Sequence, residues 1–184
     1  MAHTSLRGQL LLDGGNLAGS CFHRTVVLVC EHTPEGAFGL VLNRPEGRTV
    51  GDVLEGDLSP RLRSATLYNG GPVDPSALTY LHTDALLLNP NVMPGLSRGH
   101  SPEELADLGT SWSPGQQLKV FAGYAGWAGG QLDDEMRRKA WLQHPASLEL
   151  VFHSDPAAIW RAVLRAKGPR FRLLADSPED PGCN

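Results

Sequence analysis

Apolar residues in the first quarter of the chain come in short runs bounded by glycine and do not recur at helical spacing. Gln9 to Asp13, Thr25 to Glu31 and Ala37 to Asn43 are leucine-rich or β-branched, which predicts strands. Pro34 to Gly36 supplies the turn joining the last two, so a hairpin is predicted there. Further strands are predicted at Ala65 to Asn69, Leu78 to His82, Ala85 to Leu88, Gln117 to Tyr124 and Leu148 to His153. Helix signals are interspersed with these and do not alternate regularly, which favours α+β over a doubly wound parallel sheet.

The helices carry their own punctuation. Thr49 is placed as N-cap for a short helix over Val50 to Leu54, with Gly56 just beyond its end. Ser101-Pro102-Glu103-Glu104 combines a capping serine, proline at the first helical position and glutamate at the capping-box position, and Gly109 is the expected stop. From Leu132 to Leu142, Asp133, Asp134 and Glu135 each precede a basic residue by four positions, predicting exposed pairs worth about 0.3 kcal/mol each. Leu132, Met136 and Ala140 form the opposite stripe, with Trp141 beside it. The last helix is predicted from Asp155-Pro156 to Gly168-Pro169, docking through Ile159, Trp160, Val163 and Leu164.

At 184 residues and 41% hydrophobic content, the chain has the size and core of one domain, expected over 1–174, with a mobile tail at 175–184. A net charge of -4, with no run of lysines and arginines, leaves nucleic acid unsupported as a partner. Leu10 to Leu12 is too short for a signal core or a membrane span, so a cytoplasmic protein is expected. Cys21, Cys30 and Cys183 are odd in number and lack metal-ligand spacing, so reduced thiols and no metal or cofactor are expected.

The candidate chemistry is dispersed. Gly95-Leu96-Ser97-Arg98-Gly99 matches the pattern of a nucleophile elbow, but no buried strand precedes it and the next helix starts only at Pro102; a surface loop is expected. Glu31 and His32 close an apolar strand, where acid-base or ligand chemistry would need the strand to end or bulge so that both face one site. His82 and His153 also lie at strand ends. The turns Asn43-Arg44-Pro45 and Asn69-Gly70-Gly71-Pro72 could hold a carboxylate or phosphate through backbone amides and Arg44, or serve as scaffold alone. Cys21 precedes His23 and Arg24, which would favour a reactive thiolate, whereas Cys30 lies inside the most apolar strand. Gly123 to Leu132 reads as a glycine-rich turn into a helix. Its spacing fits no phosphate loop, and three acids already occupy the positive helix end.

Taken in order, CEHTPEGAFGLVLNRP (Cys30 to Pro45), YNGGPV (Tyr68 to Val73), Leu81-His82, GYAGWAGGQLDDE (Gly123 to Glu135) and AWL (Ala140 to Leu142) resemble the bacterial YqgE/AlgH family over about Gly8 to Leu174. The resemblance implies an α+β fold with a bifurcated mixed sheet, part of it closed as a small barrel, surrounded by helices. Members are mostly uncharacterised, some are labelled transcriptional regulators, and no catalytic residues carry over. The family's usual Glu-His-Asn is here Glu31-His32-Thr33, and its Asp-Pro before the phenylalanine is replaced by Gly19-Ser20 ahead of Cys21-Phe22. Asp13-Gly14-Gly15 also departs from the more apolar segment expected after the first strand.

The resulting expectation is a non-catalytic, cytoplasmic binding or regulatory protein with an unidentified small-molecule or protein partner. Its candidate site residues are Glu31, His32, Asn43, Arg44, Gly70, Gly71, Pro72, His82, Tyr124, Trp127 and Gln131. A hydrolase or thiol enzyme using His32 or Cys21 and a DNA-linked regulator stand as alternatives.

Overall fold

The computed structural model describes residues 4–13, 20–84 and 90–177. The strand expected over 85–88, the glycines at 14, 15 and 19, and Cys183 lie outside them. The described strands are β1 (Gln9–Asp13), β2 (Val26–Thr33), β3 (Gly36–Val41), β4 (Pro45–Thr49), β5 (Thr66–Asn69), β6 (Val73–His82), β7 (Ser97–Gly99), β8 (Leu118–Ala128) and β9 (Trp141–Pro145). The helices are α1 (Pro60–Arg63), α2 (Pro102–Thr110), α3 (Gln131–Arg137), α4 (Leu148–Val151), α5 (Ile159–Lys167) and α6 (Arg172–Ala175).

The unbroken apolar run of β2 is explained by coverage on both sheet faces. Side chains alternate along a strand, so Val26, Leu28 and Cys30 enter one core with Leu10, Leu12 and Leu40. That core is capped by Val151 of α4 and by Ile159, Trp160, Val163 and Leu164 of α5. Val27 and Val29 face the other way, against Leu11, Val41, Trp127, Leu132 and Trp141. A third core joins Leu67, Tyr80 and Val120 to Leu62 of α1 and Leu105 and Leu108 of α2.

The sheet is mixed: β5 and β8 run parallel, while every other described pairing of strands is antiparallel. Its long strand β8 divides its partners, pairing β5 and β6 through Leu118 to Tyr124 and β3 through Ala125 to Ala128. Between β5 and β6 the chain passes against β8 at a separation only glycine permits. A Cβ on Gly70 would lie 2.2 Å from the Gly123 carbonyl oxygen, and one on Gly71 2.3 Å from the Tyr124 carbonyl carbon. The sheet is open, with β4 and β9 at the ends of its strand order, so the expected small closed barrel is not formed.

Three other expectations change. Gly123 to Ala128 is strand, and the turn shrinks to Gly129-Gly130. The helix expected over Leu132 to Leu142 stops at Arg137, because Lys139 takes a left-handed φ of 57° and Trp141 begins β9, paired along β1. The strand expected at Leu148 to His153 is the short helix α4, whose N-cap Ser147 accepts from the Leu150 N–H. Its apolar residues fill the gap beneath α5, a packing role that either period satisfies. Thr49 caps a single 3-10 turn, Val50–Asp52, donating to the Asp52 carboxylate through both its backbone and its hydroxyl.

Candidate functional site

The strongest concentration of charge and shape lies where the segment before β2 meets the end of β3 and α5. Arg24 adopts a left-handed φ of 52°, an unusual state for a side-chain-bearing residue. Its backbone is held at both ends: the N–H donates to Asp13 Oδ2 at 3.1 Å, and the carbonyl accepts from Asn43 Nδ2 at 2.9 Å. The Asn43 Oδ1 in turn accepts from the Val26 N–H at 2.9 Å, so this buried amide fastens the segment to β2. The Arg24 guanidinium lies 5.0 Å over the Trp160 ring and donates to Ser177.

These residues border a cleft of about 620 Å³ whose walls also carry His23, Arg44, Asp155 and Arg161. Arg44 donates to the His23 carbonyl at 2.5 Å. Arg44 and Arg161 are exposed, and among the described residues neither has a carboxylate at ion-pair distance. The Asp155 carboxylate is engaged by the Ala157 and Ala158 N–H groups at the start of the α5 segment. The cleft therefore combines an apolar indole floor with surplus positive charge.

Two smaller depressions adjoin it. One, of about 380 Å³, shares Arg44 and Pro45 and is lined by Cys21, Phe22, Asn69, Gly71 and Pro72. The next, of about 410 Å³, shares Phe22 and Pro72 and reaches Trp127, Gln131 and Glu135. Asn43, Arg44, Gly71, Pro72, Trp127 and Gln131 thus line one run of neighbouring hollows. Gly70 supports that run from the adjacent backbone.

Four expected site residues fall elsewhere. A bulge at Cys30 separates the pairs Val29–Gly39 and Glu31–Phe38, which moves His32 onto the face of Val29. His32 is buried, accepts at Nδ1 from the Leu6 N–H at 3.0 Å and sets Nε2 3.6 Å from Asp133 Oδ2. With both ring nitrogens engaged it ties α3 and the N-terminal segment to the sheet. Glu31 points the opposite way and pairs with Arg98 at 3.3 Å, so the two do not share a site. Tyr124 stacks on Phe38 at 4.8 Å, with the Arg98 guanidinium over Phe38. His82 is buried beside Tyr80, and burial lowers its pKa.

Ser97 is a largely buried residue of β7, paired opposite His82, and not the tip of an elbow or an open loop. Burial pushes the Cys30 thiol up to about 12, which makes it inert. Cys21 is exposed within the middle depression, remote in bonding from His32. Among the described residues, no group of three or more His, Cys, Asp or Glu side chains is placed to hold a metal ion, and no helix is long and apolar enough to cross a membrane.

Sequence reasoning missed the acid at the centre of the third hollow. Glu135 Oε2 accepts from both Trp127 Nε1, at 2.9 Å, and Trp141 Nε1, at 2.8 Å, while Oε1 accepts from Gln131 Nε2 at 3.0 Å. The expected pairing of Glu135 with Lys139 is replaced by this clamp. Asp133 turns to His32, and Asp134 meets Arg137 instead of the Arg138 side-chain charge. Arg24 and Arg161 were also missed, since nothing local in the sequence marks them as neighbours.

The chain matches the model of the AlgH-like family over residues 10–172. It is 36% identical over 180 residues to a UPF0301 protein of Chlorobium luteolum, covering 96% of this chain and 94% of the relative. A UPF0301 protein of Thermobifida fusca is 35% identical, covering 100% and 98%. The solution structure of the AlgH protein from Pseudomonas aeruginosa superposes with a TM-score of 0.76 at 29% identity, covering 98% of this chain and 100% of that one. A Corynebacterium diphtheriae protein, DIP2367, shares the fold at a TM-score of 0.75 and 22% identity, covering 96% and 95%. Family model, relatives of matching length and superposed structure agree: the chain belongs to the AlgH-like family.

Proposed function

We propose that this chain is a non-catalytic, cytoplasmic binding or regulatory protein whose principal cleft takes an anionic group between Arg44 and Arg161, over Trp160. The observation that carries this reading is the pair of exposed guanidinium groups on a cleft of about 620 Å³, without carboxylate partners among the described residues. Guanidinium groups bind carboxylates and phosphates by paired, charge-assisted hydrogen bonds. The left-handed Arg24 beside them, braced by Asp13 and Asn43, supports a preorganised wall. The catalytic alternative loses His32 as its base, because both nitrogens of that ring are spent on structure.

Inorganic phosphate is the first probe, titrated into the full chain while the Trp160 indole N–H resonance is followed. A saturable shift is expected, weakened at least about tenfold in the double variant Arg44→Ala, Arg161→Ala. Phosphate held equally well by that folded variant sinks the proposal.

A further inference from the structure

A fourth hollow, of about 320 Å³, lies apart from the arginine cleft, between α1, the connection from α2 to β8, and the end of α4. Its apolar walls are Leu62, Ala65, Leu118 and Phe152, and its polar side chains include Arg61, Trp112 and Gln116. Trp112 Nε1 and Gln116 Nε2 are buried donors with no hydrogen-bond partner among the described residues. Such groups are rare in folded proteins, and two of them lining one hollow ask for a common acceptor.

The orientation of the amide is settled by its other end. Gln116 is 7% exposed, and its Oε1 accepts from the Ser113 N–H at 3.0 Å, leaving Nε2 as the group without a partner. Three of the four tryptophans donate their indole N–H: Trp127 and Trp141 to Glu135, and Trp160 to the Asp13 carbonyl. Trp112 has no acceptor among the described residues. The Arg61 guanidinium stands 4.0 Å over its ring and has no carboxylate at ion-pair distance among the described residues.

We propose that this hollow is a binding site for a small carboxylate with an apolar body, its oxygens accepting from Trp112 Nε1 and Gln116 Nε2 and facing Arg61. The two buried polar atoms without partners are both donors, and the cationic Arg61 stands beside them, which favours an anion over a neutral or cationic head group. The volume of this open hollow suits a single-ring acid, and Leu62, Leu118 and Phe152 provide the apolar contact that inorganic anions cannot use.

The test is a titration of the full chain with phenylacetate, observing the four indole N–H signals. The Trp112 signal is expected to move and saturate in the millimolar range while those of Trp127 and Trp141 stay fixed. Phenylacetamide, its neutral counterpart, is expected to bind at least about tenfold more weakly, as is phenylacetate to Trp112→Phe or to Arg61→Gln at the exposed position. Response at Trp160 alone would place the ligand in the arginine cleft and overturn this site without touching the proposed function. An unmoved Trp112 signal, equal binding of acid and amide, or full affinity in a variant that keeps the other three indole signals would also overturn it.

Discussion

The Glu135 clamp and the arginine cleft are both built on tryptophan, yet they dispose of charge in opposite ways. Glu135 gives its carboxylate oxygens to two indoles and an amide of its own chain. In the cleft, the Trp160 indole is satisfied by the Asp13 carbonyl, and the charges of Arg44 and Arg161 have no opposite partner among the described residues. Charge spent internally holds the fold, whereas charge left over is available to a ligand. The most distinctive stretch, Gly123 to Glu135, is on this account chiefly architecture.

The largest expected effect breaks the first half of the comparison. Glu135→Ala leaves two largely buried indole N–H groups without acceptors and should destabilise by about 3–4 kcal/mol in chemical denaturation. Phosphate affinity at the arginine cleft should be unchanged in the folded fraction.

Lys119 sharpens the comparison, as a buried charge that lacks a carboxylate. Among the described residues it meets the Val151 carbonyl at 3.3 Å and the Tyr68 ring and no carboxylate, and burial lowers its pKa from 10.5 to about 8. Between pH 8 and 10.5 the unfolded chain binds the proton and the folded chain does not, so this group's destabilisation, complete below pH 8, is relieved as pH rises. Lys119→Met should therefore stabilise the protein by about 2–3 kcal/mol at neutral pH, with the gain fading by pH 10.5. A gain that does not change with pH would assign the effect to packing alone.

The smallest stability effect belongs to the cleft. Arg44→Ala with Arg161→Ala should change unfolding free energy by less than about 0.5 kcal/mol, since both residues are exposed and unpaired with acids. A loss of several kcal/mol would move the arginines to the structural side of the comparison.

Much of the frame was legible along the chain. The glycine-bounded apolar runs located β1, β2 and β3, and the i, i+3, i+4 cluster of Ile159, Trp160, Val163 and Leu164 located α5 with its docking face. The exchange of helix and strand between residues 132 and 153 was not legible. Trp141 to Pro145 is strand through pairing with β1, and nothing within Trp-Leu-Gln-His-Pro announces that partner. Likewise the turn after α3 is made by Lys139 at positive φ, without the glycine that normally marks one.

For the site, sequence alone determined the residue types available and the two turns, Asn43-Arg44-Pro45 and Asn69 to Pro72, that line adjoining hollows. It also carried the family, through motifs read in order along the chain and matched by the family model over residues 10–172. Only the tertiary structure decided which charges meet. The bulge at Cys30 set which sheet face His32 and Glu31 each take, the chain return brought Arg161 to the same cleft as Arg44, and α3 carried Glu135 between two indoles. A local pattern records which way a side chain faces its own element, whereas neutralisation depends on atoms brought together from distant parts of the chain.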